Sequence, residues 1–414
     1  MNDKTTSYKG PLALLTALFF MWGLITSLND ILVPHLKSLF ELSYVQASLV
    51  QFCFFVAYFV MSYPAGKVVS KFGYKAGIII GLLVAAAGCV LFYPSASLRS
   101  YPLFLLSLFI LASGLTLLQV AANPYVNSLG SAESAASRLN LTQAFNALGT
   151  TIGPILGGMF ILSAVVLGAD QINQLPADQL QQYYASESSS VQMPYLVLTA
   201  LLILIAIVIK FSKLPVLSNE IEQDDGKDHS LWKKKHLVLG VIGIFAYVGA
   251  EVSIGSYLIS LLERPDIAAL SAVEASHKLA LYWGGAMVGR FIGSVLMTRI
   301  KANRLLAFNA FIVVLLIASA ILMRGTFSMW AILSVGLFNS IMFPTIFSLA
   351  LNRLGGLTGR ASGALCMGIV GGAIMPIVQA AVADHVSLLV SFVVPLVCYL
   401  YIAWYGCKGY KPSH

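Results

Sequence analysis

Apolar runs of about 20 residues recur from one end of this chain to the other, and a helix of that length spans the hydrocarbon core of a bilayer. Twelve such runs can be drawn along the 414 residues, approximately at 12–36, 46–69, 75–94, 101–127, 139–168, 193–212, 237–262, 277–299, 302–323, 327–351, 359–383 and 386–407. Hydrophobic residues make up 58% of the chain and charged residues 10%, against roughly 25% charged in a soluble domain. Backbone polar groups in hydrocarbon must be satisfied within the protein, so spanning segments are helices or closed barrels. A barrel shows alternating segments of about 10 residues, a pattern this sequence lacks. The expectation is an all-α polytopic membrane protein whose surroundings are the lipid bilayer.

An even number of spans places both ends on one side, and Lys and Arg mark the cytoplasmic side. Of 25 such residues, Lys37, Arg99, Arg264, Lys278 and Arg324 fall on one side, and all the others fall on the side of the termini. Both termini are therefore read as cytoplasmic. The net charge of +8 sits in these short loops, so it gives no ground for nucleic-acid binding. Cys53, Cys89, Cys366, Cys398 and Cys407 lie in apolar segments without metal-ligand spacing, where cysteine acts as a small hydrophobe. The first apolar run is too long for a cleavable signal peptide and has no small-residue cleavage site.

The chain repeats itself. Asn123-Pro124 answers Phe343-Pro344, Gly66-Lys67 answers Gly289-Arg290, Arg138 answers Arg360, and Pro154 answers Pro376, all at nearly one offset. A polar linker at 213–235 separates the copies, giving an N-terminal six-helix bundle over 1–212 and a C-terminal one over 236–414. A second polar stretch at 169–192 reads as an external loop with room for a short helix. Tandem six-helix halves are the architecture of major facilitator transporters, which hold substrate in a central cavity near mid-membrane between the halves.

Two acids stand deep inside spans: Asp30, beside Asn29 in span one, and Glu251 in span seven, at repeat-equivalent places. Acids at that depth are costly and mark ion or substrate paths. Asp30 suits a coupling site, because a desolvated carboxylate takes up a proton more readily and can alternatively hold Na⁺ with neutral oxygens. Span four carries Gln119, Asn123 and Asn127 at helical spacing on one face, and Pro124 frees the carbonyl of Val120 to kink the helix or bind a ligand. Span five carries Asn140, Thr142, Gln143 and Asn146, and span ten carries Asn339, the mate of Gln119. Amides and carboxylates offer the donors and acceptors that a polyhydroxyl ligand needs. Aromatic rings that can face the cavity are Trp22, Phe52, Phe145, Tyr247, Tyr257, Trp283 and Phe338.

The reading therefore assigns cation coupling to Asp30, Asn29, Asn123 and Thr142. It assigns substrate binding to Gln119, Gln143, Asn146, Glu251, Asn339, Tyr247, Trp22 and Trp283. A latch on the cytoplasmic side falls to Lys67, Lys71, Arg138, Arg290 and Arg360. No phosphate-binding G-x-x-x-x-G-K-[ST] loop is present, and no catalytic or metal-ligand pairing emerges, so an enzyme or an ATP-driven pump is not expected. No cofactor is expected, nor a metal beyond a Na⁺ site at Asp30.

The stretches NDILVPHLKSLFELSYVQASLVQ, LQVAANPYVNSLG and RLNLTQAFNALGTTIGP, with YVGAEVSIGSYL and GLFNSIMFPTIFSLAL in the second half, resemble the fucose–proton symporter family of the major facilitator superfamily. Within it they are most similar to the bacterial glucose/galactose transporters. The resemblance implies a monomeric carrier of the bacterial inner membrane that imports a hexose by cation symport through alternating access. It implies coupling at the aspartate of the NDIL motif, here Asp30, and sugar contacts at Gln143 and Asn146. Two positions depart from the fucose pattern: Gln119 stands where a glutamate precedes AANP, and Glu251 stands where span seven carries glutamine. These changes favour an aldohexose over fucose and Na⁺ over H⁺ as the coupling ion, with a proton-coupled transporter of another sugar, such as fucose or N-acetylglucosamine, as the alternative. A metabolite or drug exporter is a further alternative.

Overall fold

The computed structural model describes residues 8–39, 44–160, 176–215 and 231–412; within them the side chains of residues 28–39, 44–48, 51, 154–160, 177 and 180–191 are not described. Among the described residues, ten helical stretches are long and apolar enough to cross a membrane. One of them carries two passes. The helix Tyr44–Ser97 is broken at Gly73, whose φ of 80° and ψ of 169° reverse its course between spans two and three. Glycine adopts that conformation without steric cost. With Ala135–Phe160 as span five, the described helices account for twelve passes. The span-six helix, Ala177–Phe211, begins well before its apolar run. The linker expected at 213–235 lies mostly outside the described residues.

Spans one and five pack without intervening side chains. A Cβ on Gly23 would fall on the carbonyl of Asn146, and one on Gly149 would fall on the carbonyl of Phe20. Small residues allow this approach, which is how helices associate where no water drives them together.

Prolines shape what is left over. Proline has no N–H, so the carbonyl four residues earlier loses its helical partner and must find another in a dry interior. Each of three such carbonyls is taken by a side chain from a different helix. The Ser27 hydroxyl donates to Thr150 O at 3.0 Å, below Pro154. Ser362 donates to Val120 O at 2.8 Å, below Pro124. Arg290 Nε donates to Ser340 O at 3.1 Å, below Pro344, where span ten divides into Gly325–Asn339 and Met342–Ala350.

The halves meet at the end of the molecule that carries both ends of the described chain. Ser137 donates to Ser294 O at 2.7 Å, Asn140 to Thr345 Oγ1 at 3.2 Å, and Ser348 to Asn127 Oδ1 at 2.7 Å. With Ser362 on Val120 O, four neutral side chains join the halves there. Gly66 of span two lies against the backbone of Gly359 and Arg360 in span eleven, where a Cβ would stand 3.2 Å from each.

This is not the basic latch expected from the sequence. Lys67 and Lys71 stay by their own helix, over the rings of Tyr63 and Phe72 at 4.7 and 5.3 Å. Arg138 binds the carbonyls of Val126, Asn127 and Ser131 and the hydroxyl of Ser134, all in its own half. It satisfies carbonyls at the end of span four, as a basic side chain at a helix C-terminus does. The backbone of Arg360 lies against Gly66 of the other half. Arg290 lies one helical turn from Ser294 and faces the cavity rather than the other half's seal residues.

Candidate functional site: a polar cavity between the halves

Above the neutral seal lies a cavity of about 360 Å³, within the range of small-molecule sites. The N-terminal half contributes Trp22 and Thr26 from span one, Phe54, Phe55 and Tyr58 from span two, Gln119 from span four, and Gln143 and Asn146 from span five. The C-terminal half contributes Tyr247 and Glu251 from span seven, Arg290 from span eight and Phe343 from span ten. Polar groups converge from both halves on one space walled by aromatic rings.

The amides of span five are held from behind. Asn146 Nδ2 donates to Phe19 O at 2.9 Å, a bond permitted by the close packing of spans one and five, and the residue lines the cavity. Gln143 Nε2 donates to Asn123 Oδ1 at 3.4 Å. Asn123 itself is fully buried, and its Nδ2 has no partner among the described residues. It stands behind Gln143 as support.

Across the cavity, Glu251 accepts from the Tyr247 hydroxyl at 2.9 Å, one helical turn away. Arg290 NH2 lies 3.9 Å from the same carboxylate oxygen. Neither acid has a Lys or Arg near its depth in its own span, and span eight supplies one to Glu251. The sequence placed Arg290 with the cytoplasmic charges, so the structure corrects that assignment. Its helix runs Ala272–Leu296, and it points into the cavity from inside the span.

Other expected site residues stand elsewhere. Thr142 is fully buried and donates to Leu139 O of its own helix at 3.0 Å, so it does not join Asn123 around a common point. Asn339 is fully buried behind the cavity wall, with its Nδ2 on the hydroxyls of Tyr282 and Tyr399 at 2.9 and 3.2 Å. Trp283 is 43% exposed and meets the ring of Tyr282 edge-on at 5.1 Å. The side chains of Asn29 and Asp30 lie outside those described; their backbone belongs to the span-one helix Lys9–Leu39.

Among the aromatic candidates, Trp22 and Tyr247 line the cavity. Phe52 is 51% exposed on the other face of span two, and the inward face belongs to Phe54, Phe55 and Tyr58. Phe145 packs on Phe291 of the other half at 5.5 Å. Sequence reading missed the inward face of span two, because that helix is apolar all round and periodicity cannot orient it. It also missed the depth of Arg290, for which a signal existed: a lone charge inside GGAMVGRFIGS.

Two six-helix bundles that enclose a polar cavity between them define the class of a polytopic membrane transporter. The chain belongs to the Major Facilitator Superfamily, which matches it over residues 14–376. It is 52% identical to the glucose/galactose transporter of Brucella abortus, over 99% of this chain and 97% of that protein. It is 36% identical to the L-fucose-proton symporter of Escherichia coli, over 96% and 93%. A crystal structure of that superfamily transporter in the outward conformation superposes with a TM-score of 0.91, covering 97% of this chain and 99% of the other.

Proposed function

We propose that this protein imports a hexose of the glucose/galactose type across a bacterial inner membrane, driven by symport with a proton. The observation that carries the reading is the cavity itself. Gln119, Gln143, Asn146 and Glu251 supply acceptors and donors from both halves, and Trp22, Phe54, Phe55 and Tyr58 supply rings for the C–H faces of a sugar. A ligand that bonds to both halves draws them together, which is how substrate affinity drives reorientation. The names of the relatives agree in substrate class.

Asp30 is proposed as the coupling acid. The sodium reading needed Asn123 and Thr142 to gather with it, but Asn123 Oδ1 is used by Gln143 and Thr142 by Leu139. The L-fucose symporter names the proton. Both termini are proposed to face the cytoplasm, which makes the neutral seal the cytoplasmic gate and the cavity an outward-facing one. The carrier is taken to work as a monomer.

The test is uptake of labelled D-glucose and D-galactose into proteoliposomes under separately imposed pH and Na⁺ gradients. Accumulation should follow the pH gradient and ignore Na⁺. Accumulation that follows Na⁺ alone would overturn the ion. Transport of L-fucose or N-acetylglucosamine with neither hexose moved would overturn the sugar.

A further inference from the structure

Arg290 is unexplained by the carrier reading so far. It is a guanidinium inside a membrane span, and such groups persist where they are paired and functional. Two observations fix what it does. Its Nε is anchored on Ser340 O, a carbonyl that is available because Pro344 cannot bond to it. That leaves the terminal NH2 group directed at Glu251, 3.9 Å from Oε1, while Tyr247 donates to the same oxygen from the other side. Both charged side chains are largely buried, at 16% and 13% exposure, and both border the cavity.

We infer that Arg290 is a positioning residue of the sugar site: it holds Glu251 as an oriented carboxylate, so that Glu251 accepts hydrogen bonds from sugar hydroxyls and does not serve as a second proton carrier. This rests on the sugar reading above. A guanidinium 3.9 Å from Oε1 and a phenol donating to the same oxygen fix the orientation of the Glu251 carboxyl. Both partners engage Oε1, which leaves Oε2 as the acceptor for a sugar hydroxyl. The other ionisable groups around Glu251 are the phenols of Tyr247 on its own span, Tyr282 on span eight and Tyr399 on span twelve, with Tyr58 of span two on the cavity wall. The described cavity residues of the N-terminal half that are not aromatic or aliphatic are Thr26, Gln119, Gln143 and Asn146, all without charge. Glu251 and Arg290 therefore form an ion pair of the C-terminal half, and coupling remains with Asp30 in the other half.

The experiment compares wild type, Arg290→Gln, Arg290→Lys, Glu251→Gln and the double variant Arg290→Gln/Glu251→Gln, each purified and checked for monodispersity. Infrared difference spectra come first, because they need no sugar. Arg290→Gln should show a protonated carboxyl band near neutral pH that wild type lacks, and the band should vanish in the double variant. D-glucose and D-galactose binding is then followed against pH through fluorescence of Trp22. Affinity of Arg290→Gln should fall about tenfold from about pH 8 to about pH 6 beyond any change in wild type, as the acceptor is lost to protonation. The double variant should match Glu251→Gln, and Arg290→Lys should restore the wild-type profile. No new carboxyl band, or additive losses in the double variant, would overturn the inference. Failure of wild type to bind either hexose would overturn the sugar reading instead, leaving the infrared result to decide the ion pair.

Discussion

Asp30 is the proposed coupling acid, and its substitution tests that role by separating binding from work. Asp30→Asn keeps the shape and removes the charge. It should abolish accumulation of hexose against a gradient, and exchange of labelled for unlabelled sugar across the same proteoliposomes should persist. Uphill uptake at the wild-type rate would end its coupling role. A second residue prediction concerns the carbonyl freed by Pro124. Ser362→Ala leaves Val120 O buried without a donor, at a cost of about 1–3 kcal/mol, and only in the state in which the halves meet at that face. The population of the opposite state should rise about tenfold for each 1.4 kcal/mol, read as greater labelling of a cysteine placed in the seal. The free carbonyl at Val120 was legible in the sequence, because proline chemistry is local. Its partner was not, since Ser362 comes 242 residues later and only the fold brings it there. Arg290 was misplaced for a related reason: counting charges by loop gives their side but not their depth.

Elements explain which of these residues can reach the cavity. Span ten is divided near Pro344, and that division supplies the anchor for Arg290. Pro344→Ala would restore an N–H able to bond Ser340 O and compete with Arg290 Nε. Sugar affinity should fall several-fold with the melting temperature held or raised, a combination that loss of packing does not produce. Spans one and five give the complementary case. Gly149→Val would drive a branched side chain against the Phe20 carbonyl, and overpacking of this kind costs about 1–3 kcal/mol. The measurement is the melting temperature of the purified protein, which should fall; an unchanged value would show that the two helices can part there. The number of passes was readable from the lengths of the apolar runs. The orientation of span two was not, because a helix apolar on every side gives no moment to follow, and Phe52 was taken for the inward residue where Phe54, Phe55 and Tyr58 stand.

At the scale of the whole molecule, the contrast between seal and cavity sets the mechanism. The expected latch was electrostatic, and it would have weakened with salt. The observed one uses Ser137, Asn140, Ser348 and Ser362 with close backbone packing at Gly66. Neutral bonds of this kind exchange readily with water when the halves part, so opening this face has a modest cost. Transport requires that it open. In a background free of the five native cysteines, Ser137→Cys with Ser294→Cys places two thiols across the seal, and a short bifunctional thiol reagent that is cleavable by reductant would tie them. Tied protein should bind hexose from the cavity side with close to wild-type affinity and move none of it. Reductant should restore uptake, and each single cysteine should be indifferent to the reagent. Uptake that continues through the tied state would mean that this face is not the moving gate. Loss of binding on tying would mean that the cavity is completed by the seal. The predicted outcome, binding without passage, follows from a site built on both halves and a closure that lies below it.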